Sequence, residues 1–195
     1  MAERRQYAKG LAKREEILDA ALELFSRNGY DRTSVREVAR LTGLSQAGLL
    51  HYFTTKEELF TEVLRRRDVR NEQVYDVNRG DPVTAGGLVS IVRHNAEEPG
   101  LVRLYVSMSA EATDAESPAR GFFEERYRKL RTDLANDVRQ KQDAGELAAD
   151  LDPDAIAALL IAAADGLQVQ WLLEPEGHDM GERLEQLWSA LRRVH

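Results

Sequence analysis

Cysteine is absent from the 195 residues, which removes disulfides, zinc–thiolate and iron–sulfur sites, thiol catalysis and thiol redox sensing. Proline is scarce, at five, and together with the thirteen glycines it falls mostly between periodic segments, as suits helices with short connections. The longest wholly apolar run, Ala155 to Ala164, is ten residues long, half of the roughly 20 that a bilayer-spanning helix needs. The N-terminal Met-Ala-Glu-Arg-Arg-Gln-Tyr lacks an apolar signal-peptide core, so a cytoplasmic protein with no membrane partner is expected. What is present, 43% apolar and 31% charged residues, is the mix of a folded soluble chain, with length for one or two compact domains.

Positive charge is also short overall. A formal net charge of −7 speaks against a nucleic-acid partner when the chain is taken whole. Its distribution says otherwise: residues 1–70 hold 14 Lys/Arg against 11 Asp/Glu, and residues 71–195 hold 13 against 23. A mildly basic front precedes an acidic body, so any contact with nucleic acid belongs to the front.

Helical periodicity runs through almost every segment, and no alternating run is long enough for a strand. Ile17, Leu18, Ala21, Leu24 and Phe25 share one helical face, and Asn28-Gly29 supplies a left-handed stop. Ser34 with Glu37 forms a capping box for a short helix through Val35, Val38 and Ala39. Gly43 ends it, and Ser45 caps a third helix expected to run to Phe53. Thr55 with Glu58 opens a longer helix through Leu59, Phe60, Val63 and Leu64. Beyond residue 80, Asp81-Pro82, Pro99-Gly100, Ser117-Pro118, Gly145, Asp152-Pro153 and Glu174-Pro175 divide the body into five more helices. The fourth of these starts at Pro153, a favoured first helical position, and runs to about Leu173. The expected fold is all-α, with about nine helices.

Residues 34 to 53 fit a helix-turn-helix. Ala39 is small where the first helix crosses the second, and Gly43 sits where the turn needs positive φ. Leu44 and Leu49 anchor turn and second helix in a small core that the helix from Ile17 to Phe25 completes. The outer face of the second helix then offers Gln46, Ala47, Gly48 and His51 to a partner, which in this motif is the major groove of DNA.

The stretch from Arg14 to Leu64 resembles the N-terminal domain of TetR-type (tetracycline-repressor-like) transcriptional regulators. The resemblance rests on Ile17-Leu18-Asp19-Ala20-Ala21, Leu24-Phe25, Gly29-Tyr30, Thr33-Ser34-Val35, Val38-Ala39 and Gly43-Leu44-Ser45. It closes with His51-Tyr52-Phe53-Thr54-Thr55-Lys56-Glu57-Glu58-Leu59. About a quarter of the chain is covered in unbroken order. Two positions depart from the pattern: Ala47 stands where Gly is common, and Leu50 where an aromatic, usually Tyr, is common. Leu50 lacks the hydroxyl that would bond a phosphate, and Ala47 can meet a thymine methyl. Gly48 costs roughly 1 kcal/mol relative to Ala inside a helix. It reads either as room for the backbone to approach DNA or as drift at a tolerant position.

The resemblance implies a DNA-reading domain over residues 1–60, with a flexible arm over 1–12, and a regulatory and dimerisation domain over 61–195. Gln46 is the candidate for a base-edge contact, because its amide can pair bidentately with adenine. Thr33, Ser34, Ser45, Tyr52 and Lys56 are candidates for phosphate contacts. Arg36 and the arm residues Arg4, Arg5, Lys9 and Lys13 would add phosphate or minor-groove contacts. His51 has no second ligand placed to share a metal or acid–base site.

A single helix-turn-helix reads only a few base pairs, so a homodimer on an inverted-repeat operator in double-stranded DNA is expected. The helix from Pro153 is apolar on every side between Ala155 and Ala164 and must be buried all round. Ala157, Ile161 and Ala164 are expected on its dimer face, joined by Leu184, Leu187, Trp188 and Leu191 of the last helix. Tyr105, Met108, Phe123, Tyr127, Gln168 and Trp171 are the candidate lining of a pocket for an unidentified small-molecule effector. The segments 104–113 and 165–171 resemble C-terminal domains of choline/betaine-type regulators. Asp165 interrupts an apolar helix and calls for a partner, such as an Arg or a helix end across the interface. The expected function is a repressor released by that effector; an activator or a ligand-independent regulator of the same type is the near alternative. An all-α enzyme is the distant one, but the four His are scattered and there is no phosphate loop or carboxylate pair on one face. No catalytic residue, metal site or cofactor is expected.

Overall fold

A computed structural model describes the backbone of residues 2–28, 33–74, 82–177 and 179–192, and the side chains of 7–28, 33–70, 82–177 and 179–192. Among the described residues there are nine helices and no strand. They are α1 (Ala2–Asn28), α2 (Val35–Leu41), α3 (Gln46–Leu50), α4 (Lys56–Val74), α5 (Ala85–Asn95), α6 (Pro99–Glu111), α7 (Arg120–Asp143), α8 (Pro153–Leu173) and α9 (Met180–Arg192). Gly29, of the expected Asn28-Gly29 stop, and Asp81, of the expected Asp81-Pro82 break, lie outside the described residues. The helices gather into two compact units, residues 1–70 with 98–120 and residues 71–97 with 121–195. The grouping does not follow chain order, because α6 packs on α1 and so belongs with the N-terminal helices.

The first unit is built on aromatic packing. Phe25 of α1 and Phe60 of α4 meet edge to face at 4.8 Å between ring centroids, and Ile17, Ala21, Val38, Leu49 and Phe53 are fully buried. Charged pairs then tie α1 to α4: Arg66 reaches Glu15 and Asp19, and Arg14 reaches Glu62 at 3.2 Å. The hydrogen bond to Asp19 and the attraction of Asp19 and Glu15 outweigh a partial burial, so the Arg66 guanidinium holds its proton more tightly than usual. Where α6 begins, the Glu98 carboxylate accepts the Ser26 hydroxyl at 2.9 Å and pairs with Arg70.

Residues 2–12 are not a flexible arm. They form the first turns of α1, because Ala, Glu, Arg, Gln, Leu and Lys are strong helix formers and a single Gly10 does not stop them. The side chains of Arg4 and Arg5 lie outside the described residues, and Lys9 is exposed. Lys13 is engaged within its own unit: its ammonium donates to the Thr42 carbonyl at 2.7 Å and pairs with Glu16 at 2.7 Å.

The second unit packs α5 against α9 and α9 against α8. Gly181 permits the first approach, since a Cβ there would lie 2.8 Å from the Arg93 Cβ. Two carboxylates of α7 receive the chain leading into α5. Asp133 accepts the Val83 N–H at 3.2 Å and buried Asp137 accepts the Ala85 N–H at 2.9 Å. α7 ends in a left-handed glycine, Gly145, whose following residue donates to the Lys141 carbonyl at 2.8 Å. By length and composition α8 would reach across a bilayer. Ile156, Ala157, Leu160, Ile161, Ala164, Gln168 and Trp171 nevertheless lie in the core of this unit, so α8 serves it as a central helix.

Candidate nucleic-acid interface

Local sequence explains the geometry of α2, the turn and α3. Ser34 accepts the Glu37 N–H at 3.2 Å while the Glu37 carboxylate accepts the Ser34 N–H at 3.4 Å, closing both ends of a capping box. α2 stops at Gly43, with φ of 67°. The next two bonds, Gly43 N–H to the Arg40 carbonyl and Leu44 N–H to the Ala39 carbonyl at 2.8 Å, form a Schellman closure. The Lys13 ammonium on the Thr42 carbonyl adds a positive charge to that helix end, where the backbone dipole favours it. Ser45 restarts the chain by accepting the Gly48 N–H at 3.0 Å.

α3 is shorter than its periodicity suggests, closing at Leu50 with His51 as its C-cap. The chain then turns so that Phe53 enters the core and Thr55 opens α4. The Thr55 hydroxyl accepts the Glu58 N–H at 3.0 Å, and the Glu58 carboxylate takes the Thr54 N–H at 2.6 Å. The expected box is therefore present with its return bond one residue earlier.

At about 100° per residue, Gln46, Leu50, Ala47 and His51 follow one another on an arc from roughly 60° to 200° round the helix from buried Leu49. All four are exposed. This arc is the outward surface of the helix-turn-helix. Gly48 is not part of it: half-buried, its missing Cβ would point 3.2 Å from Ser45 Oγ and 3.8 Å from Leu44. The glycine therefore accommodates the N-cap. It does not open a path for the backbone outward.

The expected phosphate partners divide. Ser34 and Ser45 are exposed, and each hydroxyl oxygen already accepts a capping bond, which leaves the O–H to donate outward. Arg36 is exposed, as is Arg40 one turn further along α2. Its i, i+4 spacing from Arg36 puts the two arginines on one face of α2. Lys56 is exposed and its ammonium lies 5.1 Å from the centroid of the Phe60 ring. Tyr52 is half-buried, its ring edge-on to His51 at 6.0 Å. Thr33 is a correction: it is buried, because the residue before the Ser34 cap turns into the core, and it offers no hydroxyl to a surface ligand.

The candidate effector residues are split between the units. Tyr105 and Met108 of α6 are buried in the first, where the Arg67 guanidinium lies 5.6 Å from the Tyr105 ring centroid. Phe123, Tyr127, Gln168 and Trp171 belong to the second. There the Phe123 and Tyr127 rings are 6.1 Å apart, and the Tyr127 hydroxyl donates to Asp165 at 2.7 Å. Asp165 thus finds one partner in a phenol of its own unit. Buried Gln168 donates from Nε2 to the Ala164 carbonyl at 3.3 Å, while its Oε1 has no hydrogen-bond partner among the described residues.

The expected dimer face of α8 is corrected as well. Ala157, Ile161 and Ala164, with Leu184 and Trp188 of α9, are buried in the unit's own core, whereas Leu187 is exposed and Leu191 half-buried. The apolar stripe turned outward on α8 is Ala155, Ala158, Leu159, Ala162, Val169 and Leu173, with Leu159 60% and Leu173 78% exposed. A helix apolar all round offers two faces, and only packing decides which is inside. Among the described residues no group of three His, Asp or Glu is placed to hold a metal ion.

An all-helical chain with a helix-turn-helix of this construction is a DNA-binding regulator by class. Comparison with known proteins identifies the family. Residues 17–63 match the N-terminal domain of bacterial regulatory proteins of the tetR family, and residues 88–194 match the C-terminal domain of BetI-type transcriptional repressors. The chain belongs to the TetR family of transcriptional regulators and is not an enzyme. It is 25% identical over 194 residues to the transcriptional repressor AcnR of Corynebacterium efficiens, covering 95% of each chain. It is 46% identical over 55 residues to the regulator RutR of Escherichia coli, or 28% of this chain and 26% of that one. Among solved structures, a TetR transcription regulator of Haloarcula marismortui superposes with a TM-score of 0.74 at 20% identity, covering 93% of this chain and 96% of that one. A transcriptional regulator of Saccharomonospora viridis, crystallised with choline, gives a TM-score of 0.70 at 26% identity over 93% and 96%.

Proposed function

We propose that the protein is a cytoplasmic repressor that binds an inverted-repeat operator as a homodimer and leaves it when a small organic effector binds. Residues 1–60 read DNA in this proposal, and residues 61–195 sense and dimerise. The observation that carries it is the exposed arc of α3, anchored from behind by buried Leu49 and pinned at its start by Ser45. Gln46 contacts a base edge. Ser34, Ser45, Tyr52, Arg36, Arg40 and Lys56 hold the phosphates that set register.

The experiment is in vitro selection of DNA from a random pool, followed by binding with two variants. Gln46→Ala costs about 1–3 kcal/mol on the selected site and relaxes preference at one position, whereas Lys56→Ala weakens all sequences alike and lowers the salt slope by about one. An unaltered base preference in the Gln46 variant would remove Gln46 from the reading surface.

The exposed stripe of α8, with Leu187 of α9, is the surface that meets a second copy. Its alanines permit close helix packing, and its leucines supply the area removed from water. Sedimentation at micromolar concentration then gives about twice the 22.0 kDa chain mass; a species at the chain mass refutes the homodimer. Phe123, Tyr127, Asp165, Gln168 and Trp171 supply aromatic faces, a carboxylate and a buried amide oxygen without a partner among the described residues. This chemistry suits an organic cation, and the choline in the Saccharomonospora viridis regulator agrees with it. Operator affinity measured with and without choline tests this, with a 5- to 150-fold loss expected for about 1–3 kcal/mol of coupling.

A further inference from the structure

The reading arc of α3 holds a residue that neither a base-edge hydrogen bond nor a phosphate contact accounts for. Leu50 is 37% exposed while Leu49 beside it is fully buried. No core packing requires an apolar side chain at an outward position of a surface helix. On the arc it stands three residues from Ala47, also exposed, and between Gln46 and His51. Residues three apart on a helix have Cβ atoms about 5–6 Å apart, which spans one to two base steps of about 3.4 Å. Neither side chain has a polar atom, so neither can bond a phosphate oxygen or a base heteroatom.

The apolar group that a base pair presents in the major groove is the C5-methyl of thymine. We infer that Leu50 and Ala47 form a thymine-reading pair, so that each operator half-site carries successive A·T pairs whose methyl groups lie against these two side chains. The inference rests on α3 being the element that enters the major groove. Gln46 reinforces it, since the adenine that its amide reads bidentately brings a thymine on the opposite strand, whose methyl faces the same groove. The pair is held rigidly enough to discriminate. Leu49 fixes the rotation of α3, and the Gly48 N–H on Ser45 fixes its first turn.

The test uses the full-length protein and the duplex obtained by selection. Each thymine of the half-site is replaced in turn by deoxyuridine, which keeps every hydrogen-bonding atom and removes only the methyl. Two adjacent positions are expected to weaken binding by about fourfold each, the worth of one buried methyl(ene), with the remaining positions unchanged. In Leu50→Ala the deoxyuridine effect at one of the two positions falls below about twofold, whereas Leu50→Met, which keeps apolar reach, retains it. Leu50 is exposed, so both variants keep the helix content and thermal midpoint of the parent. Equal affinity for thymine and deoxyuridine at every position, or an undiminished difference in Leu50→Ala, overturns the inference while leaving operator binding intact. Failure to select any operator overturns the DNA-binding reading itself and the inference with it.

Discussion

The two compact units are held together by different means. The N-terminal unit joins α1 to α4 through an edge-to-face Phe25–Phe60 contact and through arginines that reach carboxylates on the facing helix. The other unit has an aromatic contact of its own, Phe122 edge to face with Phe123 at 5.0 Å between centroids, and adds a glycine that admits α9 to α5 and α7 carboxylates that receive the backbone at the start of α5. The exposed arc of α3 lies in the N-terminal unit, where short-range motifs do the positioning. Two serine caps, one left-handed glycine and one buried leucine suffice to orient α3. The second unit has local motifs too, with caps at Thr84 and Asp152 and a left-handed Gly145, but which helix faces are buried is set by the packing of α9 on α5 and α8.

Substitutions can break that contrast in graded fashion. The largest effect is expected at the aromatic contact: Phe60→Ala should cost about 3–5 kcal/mol in denaturant unfolding, because a fully buried ring leaves a cavity. A cost below 1 kcal/mol would mean that the Phe25–Phe60 pair does not organise the N-terminal unit. Next is Asp137→Ala in the second unit, which strips the Ala85 N–H of its acceptor in a buried place and should cost about 1–3 kcal/mol. Faster amide exchange at Ala85 is the specific readout, and unchanged protection there would reject the assignment. Ser45→Ala should cost about 1 kcal/mol as a lost N-cap and weaken operator binding further than the stability change explains. Arg66→Ala should be smallest, under about 1 kcal/mol, since its partners Glu15 and Asp19 are more than half exposed. Its residual effect should fade as salt is added.

How legible each part was follows the same division. The Ser34–Glu37 box, the positive-φ turn at Gly43, the Ser45 cap and the start of α8 at Pro153 all stand in the structure where residue type and spacing place them. These features depend on bonds within five residues, so short motifs announce them. Thr33 shows the limit of such reasoning: a threonine beside a cap reads as a surface hydroxyl, yet the chain's path turns it inward. The helical N-terminus follows residue propensities, whereas the matching motif, which begins later, says nothing of it. Lys13 on the Thr42 carbonyl and Asp137 on the Ala85 N–H join residues 29 and 52 positions apart, and no local spacing foretells such pairs.

α8 marks the boundary between the two kinds of information. Its start at Pro153 and its lack of a polar side between Ala155 and Ala164 were determined by the sequence, but burial all round was not: Ala155, Ala158, Leu159 and Ala162 of that run are exposed. Composition is silent on which side is inside when both are apolar. Only packing against α9 and α5 put Ala157, Ile161 and Ala164 in the core and left Leu159 and Leu173 outside. The sequence determined the helix-turn-helix, the helical class and a set of candidate residues for DNA contact, because those follow from hydrogen bonds and periodicity within a few turns. Tertiary structure decided which of those residues remain at the surface, because burial is settled by neighbours that the chain brings from far away.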